Sequence, residues 1–345
     1  MVINSYQRVV KAIEFGKIDR FPLLHWVSRA VLDKWGKKLK DILSQYPSDF
    51  AGQEVCNKNI INSPFKKGIQ KDAWGCYWEN KADNMQGLIK SHPLTEWKSL
   101  KFYKFPSPLT GDFGNEWDGV EKIVHQNKGK KYILVRAAGG RLFERMHFLR
   151  GFENLMMDIA DEREELFILR DKIVNHTLEG LNELFNKYDV DGVLATDDWG
   201  TQKQIMIDPK SWQKIFKPSY QKIINFVHKR GKHFFLHSDG YIMGIIPDLI
   251  EIGVDVLNTQ FSCTSIKDLS EICKGKICIL SHIDKQYTLP MGNIKEVEEY
   301  VRKVVNYFPI SQSGIIARAE TGLDIPVENI ETMLKIFFQE KKNKE

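Results

Sequence analysis

The feature that most constrains this chain is a regular alternation of two hydrophobic patterns from about residue 131 onward. Longer stretches with apolar residues at three- and four-residue intervals predict amphipathic helices. Strands that alternate with helices build a parallel sheet. Between the helices, short apolar runs predict strands at 131–137, 192–196, 233–237, 254–259, 276–282 and 314–319.

The strand count favours a closed barrel over an open sheet. Adding "RFPLLHW" (20–26) and other early candidates gives about eight strands, and 345 residues suit a (β/α)8 barrel. A doubly wound open sheet is the alternative, but no G-x-G-x-x-G follows any predicted strand. We therefore predict an α/β protein with one TIM-barrel domain over residues 1–345. Within it, 131–345 would form the regular repeats, and the aromatic-rich segment 1–130 would cover the barrel mouth.

Polar side chains follow five predicted strands in succession. The active site of such a barrel lies at the carboxyl ends of its strands, so these side chains are expected to share one rim. The side chains at these five ends are Asp197 and Asp198, His237 and Asp239, Asn258 and Gln260, His282 and Asp284, and Glu320.

Four of these residues make a plausible set of nitrogen and oxygen ligands for zinc, namely His237, Asp239, His282 and Glu320. The spacing is not a strong motif, because the sequence has no H-E-x-x-H and no cysteine pair. Alternatives that need no metal remain open. Asp239 could cap the helix that begins near Tyr241, and a lone histidine at a strand end is often only a hydrogen-bonded structural residue.

Composition excludes several classes of function. Fifty basic and 45 acidic residues give a mild, dispersed charge of +5, which does not indicate nucleic-acid binding. No apolar run approaches the roughly 20 residues of a membrane span, and the first 20 residues are charged throughout, unlike a signal peptide. Five cysteines without a C-x-x-C pair are typical of reduced thiols, so we expect a cytoplasmic protein.

Six segments together carry a resemblance to a known family. They are "IDRFPLLHW", "RLFERMHFLRGFENLMMDI", "TDDWGTQKQIMIDPKSWQKIFKPSYQKII", "LHSDGYIMGIIPDLIEIGVDVLNTQ", "HIDKQYTLPMGNIKEVEEYVRKVV" and "SGIIARAETGLDIPVENIETML". These segments resemble the uroporphyrinogen decarboxylase superfamily, over about residues 5–340. The resemblance implies a (β/α)8 barrel, in agreement with the strand pattern.

Within that superfamily, the sequence departs from the true porphyrinogen decarboxylases. Those enzymes carry an arginine-rich N-terminal segment that grips substrate carboxylates, whereas here only Arg29 is available. Their late glycine–histidine signature is also replaced, by residues 319–321. The other branch comprises methyltransferases that work with corrinoid proteins and bind zinc through an H-x-C and a later cysteine. In this sequence the H-x-C becomes His237-x-Asp239, and Glu320 takes the place of the later cysteine.

The resemblance implies a zinc-dependent methyltransferase, with a methyl group passing to the Co(I) of a corrinoid protein. Histidine and carboxylate ligands leave zinc a hard Lewis acid, which suits O-demethylation of an aryl methyl ether. We expect His237 and Glu320 to hold zinc, with His282 and Asp239 as partners. The chain has no cobalamin-binding D-x-H-x-x-G, so the corrinoid must arrive on a separate protein. Barrels of this kind often form homodimers.

Roles for other residues follow from the same mechanism. A carboxylate of Asp197 or Asp198 would orient the substrate or move a proton. Substrate contacts are expected from His25, Trp26, Tyr241 and Gln260. Early aromatic side chains would stack on an aromatic substrate at the mouth, or else pack in the core; besides His25 and Trp26 these are Trp74, Tyr77 and Trp78.

Three other functions remain open. The first is a cofactor-free decarboxylase or lyase acting on another carboxylate, which would need cationic grips on its substrate. The second is a binding protein that kept the barrel and lost the chemistry, and the third is thiol methylation with unusual zinc ligands. The arginines placed near predicted strand ends, and so able to grip a carboxylate, are Arg136, Arg141, Arg145 and Arg318.

Overall fold

The computed structural model describes residues 3–52, 66–83, 87–110, 117 and 119–340. Eight strands form one sheet in the order β1-β11-β10-β9-β8-β7-β6-β2, and every strand pair of this sheet is parallel. The strands are β1 (Leu23–His25), β2 (Phe50–Ala51), β6 (Tyr132–Arg136), β7 (Gly192–Thr196), β8 (His233–Ser238), β9 (Val256–Thr259), β10 (Cys278–Leu280) and β11 (Ile315–Ala319).

The two outer strands of this order, β1 and β2, also lie side by side. The backbone N–H of Asp49, just before β2, donates to the carbonyl of Leu23 in β1 over 2.8 Å. The sheet therefore curls into a nearly closed barrel, and the predicted α/β TIM-barrel fold is confirmed. The strand "RFPLLHW" is present as β1, and β10 is shorter than the predicted 276–282.

Helices surround the barrel. The apolar spacing over residues 208–231 predicts one long helix with a kink near Pro218. It is divided at Phe216, because proline at the start of the second helix has no N–H to continue the hydrogen-bond ladder. The helices are α1 (Ser5–Ile13), α2 (Arg29–Gln45), α3 (Val120–Asn127), α4 (Phe143–Arg150), α5 (Phe152–Ala160), α6 (Glu164–Lys187), α7 (Pro209–Ile215), α8 (Lys217–Lys229), α9 (Ile246–Glu251), α10 (Ile266–Cys273), α11 (Thr288–Met291), α12 (Ile294–Tyr307) and α13 (Val327–Gln339).

The N-terminal third of the chain supplies β1 and β2 of the barrel wall. It also forms a separate antiparallel sheet of β3 (Gly68–Lys71), β4 (Tyr77–Asn80) and β5 (Leu88–Ser91). Of the aromatic residues expected to stack on substrate there, Trp74 and Trp78 are buried and Tyr77 is exposed.

Three aspartates at the amino ends of strands tie neighbouring strands together. Each stands just before a strand and accepts the backbone N–H of a residue in the strand beside it. The bonds are Asp49 to Leu23 (2.8 Å), Asp191 to Ile133 (2.8 Å) and Asp255 to Phe234 (2.7 Å). The buried Asp49 carboxylate also binds the guanidinium groups of Arg8 and Arg20. This end of the barrel is therefore devoted to stability.

The hydrophobic core fills the barrel and the layer between strands and helices. Trp199, Trp212, Phe143 and Phe216 are fully buried there and pack ring against ring. Among the described residues, no helix has both the length and the apolar composition needed to cross a membrane.

Candidate functional site

Two loops cross at the carboxyl ends of β7 and β8, and glycines allow the crossing. A Cβ added to Gly240, whose φ is +82°, would lie 2.3 Å from the Gly200 carbonyl carbon. The Gly200 N–H donates to the Asp239 carbonyl over 3.2 Å, and the Asp239 N–H donates to an Asp198 carboxylate oxygen over 2.8 Å. The sequences "DDWG" and "HSDG" thus hold Asp198 and Asp239 against each other.

This crossing brings one imidazole and two carboxylates together. The His237 Nε2 atom lies 3.8 Å from Asp198 Oδ1 and 3.7 Å from Asp239 Oδ1. One ligand atom from each of the three residues lies within 4.8 Å of the other two. In the described part of the chain, Asp239 Oδ1 is buried without a hydrogen-bond partner. A histidine nitrogen and two carboxylate oxygens are ligands that zinc accepts, so these residues fit such an ion.

Asn258 fixes the orientation of the histidine ring. Its Nδ2 donates to the Leu280 carbonyl over 2.7 Å, which leaves Oδ1 as the acceptor facing His237 Nδ1 at 2.6 Å. His237 therefore donates from Nδ1, and the Nε2 lone pair faces the carboxylates. Burial lowers the pKa of His237 and keeps the ring neutral. Oriented, neutral imidazole is the form that binds metals.

Asp197 lies next to Asp198 in sequence but has a different environment. Its buried carboxylate accepts the backbone N–H groups of Leu142, Phe143 and Glu144 at 2.7–2.9 Å, and the Tyr220 hydroxyl also donates to it. It therefore caps the start of α4. Burial raises its pKa to about 6. This geometry gives Asp197 a structural task and leaves Asp198 facing the histidine.

His282 and Glu320 lie outside the group formed by Asp198, His237 and Asp239. They follow β10 and β11, two and three strands from β8, and neighbouring strands are about 4.8 Å apart. Both are buried, and neither His282 ring nitrogen nor Glu320 Oε1 has a hydrogen-bond partner among the residues the structure describes. Burial lowers the pKa of His282 and raises that of Glu320. Their expected role as zinc ligands stays a prediction.

Two cations at the barrel mouth were not singled out by the sequence as parts of the zinc site. Lys285, in the loop after β10, places its Nζ 3.7 Å from Asp239 Oδ2. Arg318, in β11, donates to Asn258 Oδ1 over 2.7 Å, and its Nε lies 3.4 Å from Glu320 Oε1. The stretch "HIDKQY" offered a signal for Lys285, since it follows directly on a polar strand end.

The four residues expected to contact substrate are spread over different places. The half-buried His25 ring is hydrogen-bonded to the Tyr46 backbone, and desolvation lowers its pKa to about 4. The Trp26 ring packs against the Arg318 guanidinium, with 4.8 Å between the ring centre and the guanidinium carbon. Trp26 therefore lies at the barrel mouth. Gln260 accepts the Gly240 N–H over 3.0 Å and braces the crossing.

Tyr241 is half-buried and directly follows the crossing. Its backbone N–H donates to the Thr201 carbonyl over 2.8 Å, which ties the loop after β8 to the loop after β7 a second time. The expectation that Tyr241 contacts substrate stays a prediction.

A second polar feature lies beside the ends of β6 and β7. A cavity of about 30 Å³ is lined there by Arg136, Arg141 and Arg145, together with Trp74, Thr110 and Thr196. These are three of the four arginines considered as grips for a carboxylate, and Arg318 lies apart from them.

Glu144, at the start of α4, lies between the arginine-lined cavity and the Asp198–His237–Asp239 group. Its Oε2 lies 3.9 Å from Arg141 Nε. Burial raises the pKa of its carboxyl to about 8, and the nearby charges of Asp197 and Asp198 add to the effect. No sequence pattern singled out this residue.

Fold and site together define a parallel TIM barrel with a histidine and two carboxylates at the carboxyl ends of adjacent strands. The chain belongs to the uroporphyrinogen decarboxylase (URO-D) family, whose model matches residues 90–339. The resemblance inferred from the sequence is thereby confirmed. No curated protein matches the sequence significantly.

The fold is similar to that of a solved methyltransferase from Methanosarcina mazei, which is 15% identical, with a TM-score of 0.69 over 97% of this chain and 98% of that chain. At this identity the likeness concerns the fold alone. Two further solved structures match with lower scores. A 3-keto-D-glucoside 4-epimerase from E. coli is 12% identical, with a TM-score of 0.36 over 72% of this chain and 95% of that chain. A putative vitamin-B12 independent methionine synthase from Listeria monocytogenes is 9% identical, with a TM-score of 0.40 over 94% of each chain.

Proposed function

We propose that this protein is a zinc-dependent methyltransferase that moves a methyl group from a small methylated substrate to the Co(I) of a separate corrinoid protein. An aryl methyl ether is the proposed substrate, which makes the reaction an O-demethylation. The observation that carries the proposal is the Asp198–His237–Asp239 group, with its oriented histidine and its unpartnered carboxylate oxygen. The similarity in fold to the methyltransferase from Methanosarcina mazei supports the same class.

The proposed zinc ligands are Asp198, His237 and Asp239. From the sequence, His237 and Glu320 were expected to hold zinc, with His282 and Asp239 as partners. Proximity favours Asp198 instead, because β7 is the immediate neighbour of β8 in the barrel. Bound there, zinc would supply Lewis-acid polarisation of the ether oxygen.

Residues of the chain supply the rest of the mechanism. Asn258 keeps the His237 lone pair directed at the ligand position. The ammonium group of Lys285, 3.7 Å from Asp239, brings positive charge to the place where the leaving oxygen becomes negative. Glu144 carries a proton at neutral pH, since its pKa is about 8, and lies near Asp198. It is placed to donate that proton to the released oxygen.

Atoms and charge balance in this transfer. The bond between the methyl carbon and oxygen breaks, and the methyl group passes to the Co(I) of the corrinoid protein. The oxygen keeps the electron pair and takes up a proton. The corrinoid protein is a proposed partner, and the barrel mouth is the face from which its cobalt would approach.

Metal analysis of purified protein tests the ligand set. We expect about one zinc per wild-type chain, with loss of zinc in His237→Ala and in Asp239→Asn. Glu320→Ala should retain zinc, and so should the matched control His125→Ala, which alters an exposed histidine on α3. Zinc lost from Glu320→Ala and retained in Asp198→Ala would refute this ligand set in favour of the one expected from the sequence. Absence of metal from every sample, even after zinc is added, would refute the zinc mechanism.

Product analysis separates the proposed reaction from the decarboxylase alternative, which the arginine-lined cavity favours. Aryl methyl ethers are incubated with the protein and a Co(I) corrinoid protein, and the absorbance change from Co(I) to methyl-cobalt is followed. Methylation of cobalt that is abolished in His237→Ala supports the proposal. Release of CO₂ from carboxylic acids, equal in wild type and His237→Ala and without methyl transfer, would instead establish a metal-free decarboxylase.

A further inference from the structure

The arginine-lined cavity has a composition suited to a negatively charged group. Arg136 ends β6, and Arg141 and Arg145 lie at the beginning of α4, so three guanidinium groups border a space of about 30 Å³. Two threonines, Thr110 and Thr196, add hydroxyl groups to its wall. Three positive charges around one small space favour an anion strongly.

The three arginines are held in different ways. Arg145 is buried, with its guanidinium carbon 4.2 Å from the Trp74 ring centre. Arg141 faces Glu144 at 3.9 Å. Arg136 is half-buried, and its side chain makes no hydrogen bond or ion pair with any described residue. Such a guanidinium keeps its N–H donors available for a bound anion.

The position of the cavity relates it to the Asp198–His237–Asp239 group. Thr196 lines the cavity and is paired with His237 in the β7–β8 ladder. Arg136 is paired with Leu194 in the β6–β7 ladder. Arg136 and His237 are therefore two strands apart and offset by two residues along β7, which is roughly 12 Å between their backbones. One aromatic ring carrying substituents at opposite ends spans such a separation.

We propose that the cavity formed by Arg136, Arg141 and Arg145 binds the carboxylate of the methylated substrate, whose methyl group then reaches the Asp198–His237–Asp239 group. This inference rests on the proposed function and specifies its substrate class as an aryl methyl ether that carries a carboxylate. The cavity of about 30 Å³ has room for a small head group such as a carboxylate, which a guanidinium group binds through two parallel hydrogen bonds. Only the head group enters, and the ring lies toward β7 and β8.

Calorimetric titration of the full-length protein with 4-methoxybenzoate tests this site, with 4-methoxybenzyl alcohol as the neutral analogue. Wild type should bind the acid at least about tenfold more tightly than the alcohol, in line with a charge-assisted hydrogen bond. Arg136→Gln should lose that preference, and Arg136→Lys should keep part of it. Arg302→Gln is the matched control, because it removes an arginine exposed on α12. Its binding of the acid should equal that of wild type.

His237→Ala separates this site from the proposed zinc ion, since a carboxylate could also bind a metal. Retained binding of 4-methoxybenzoate by that variant supports the cavity. Equal binding of acid and alcohol, or an unchanged affinity in Arg136→Gln, would overturn the inference. Inorganic phosphate that binds more tightly than the acid, and depends on Arg136, would overturn the choice of a carboxylate. Thermal melting of each variant verifies that it is folded.

The two proposals fail in different ways. Arg136-dependent binding of the acid, without any methyl transfer to cobalt, would refute the proposed methyltransferase and leave the carboxylate site standing. Methyl transfer from neutral ethers that is as fast in Arg136→Gln as in wild type would refute the carboxylate site and leave the methyltransferase standing.

Discussion

Asn258→Ala tests whether the orientation of His237 decides metal binding. The substitution removes the acceptor for His237 Nδ1 (2.6 Å) and for Arg318 Nη1 (2.7 Å), and the donor to the Leu280 carbonyl (2.7 Å). Two neutral bonds at about 0.5–1.5 kcal/mol each and one charged bond at about 1.5–3 kcal/mol lower the free energy of unfolding by about 2.5–6 kcal/mol. Losing such an outer partner of a metal-binding histidine weakens metal affinity by about 10- to 100-fold.

Asn258→Asp is the matched variant, because it separates orientation from stability. Its carboxylate still accepts from His237 and Arg318, but it places an oxygen against the Leu280 carbonyl in place of a donor. We therefore expect reduced stability in both variants, and weakened zinc binding only in Asn258→Ala. Urea denaturation measures stability, and competition with a chromophoric chelator measures zinc affinity. The reasoning is wrong if Asn258→Ala binds zinc as tightly as wild type, or if both variants lose zinc equally.

Three further predictions concern the loops, the barrel base and pH. Gly240→Ala should lower the free energy of unfolding by more than about 1 kcal/mol and weaken zinc binding, because the added Cβ would lie 2.3 Å from the Gly200 backbone. Urea denaturation measures the first effect, and metal analysis measures the second. Asp49→Asn should lower stability by about 3–5 kcal/mol in urea denaturation, because it breaks buried ion pairs, and leave zinc affinity unchanged. Because the pKa of Glu144 is raised in the folded protein, the folded state holds a proton on this carboxyl that the unfolded state has lost. Stability therefore falls as pH rises from the ordinary glutamate range to about 8. In Glu144→Gln that decline should be smaller in denaturation curves recorded across the window, and an unchanged decline would contradict the assignment.

The barrel was predictable because burial on both faces of a parallel strand leaves a recognisable apolar run. The spacing of apolar residues predicts helices at 266–273 and 327–339, and α10 (Ile266–Cys273) and α13 (Val327–Gln339) have these bounds. The N-terminal third was harder, since β1 and β2 have only three and two residues and lack periodicity. Their place in the wall depends on contacts with distant strands and on Asp49, whose role no local pattern reveals.

The rim of polar strand ends was predictable, but the grouping within it was not. A residue at the carboxyl end of a strand is expected to lie at the barrel mouth. The distance between two such residues depends on the order of the strands and on the path of the loops that follow them. Asp197 and Asp198 are adjacent in sequence, yet one caps α4 and the other faces His237. His25 also ends a strand, yet its ring is hydrogen-bonded to the backbone of Tyr46, the residue that follows α2.

By itself, the sequence determined the parallel α/β architecture, the family and the polar character of one rim. These follow from hydrophobic periodicity and from local segments, which are properties of neighbouring residues. Only the tertiary structure decided that Asp198 joins His237 and Asp239, that Asn258 orients the ring, and that three arginines share one cavity. Those arrangements join residues on different strands and loops. Their separations are set by barrel closure and by the contact of two glycines, so no local stretch of sequence encodes them.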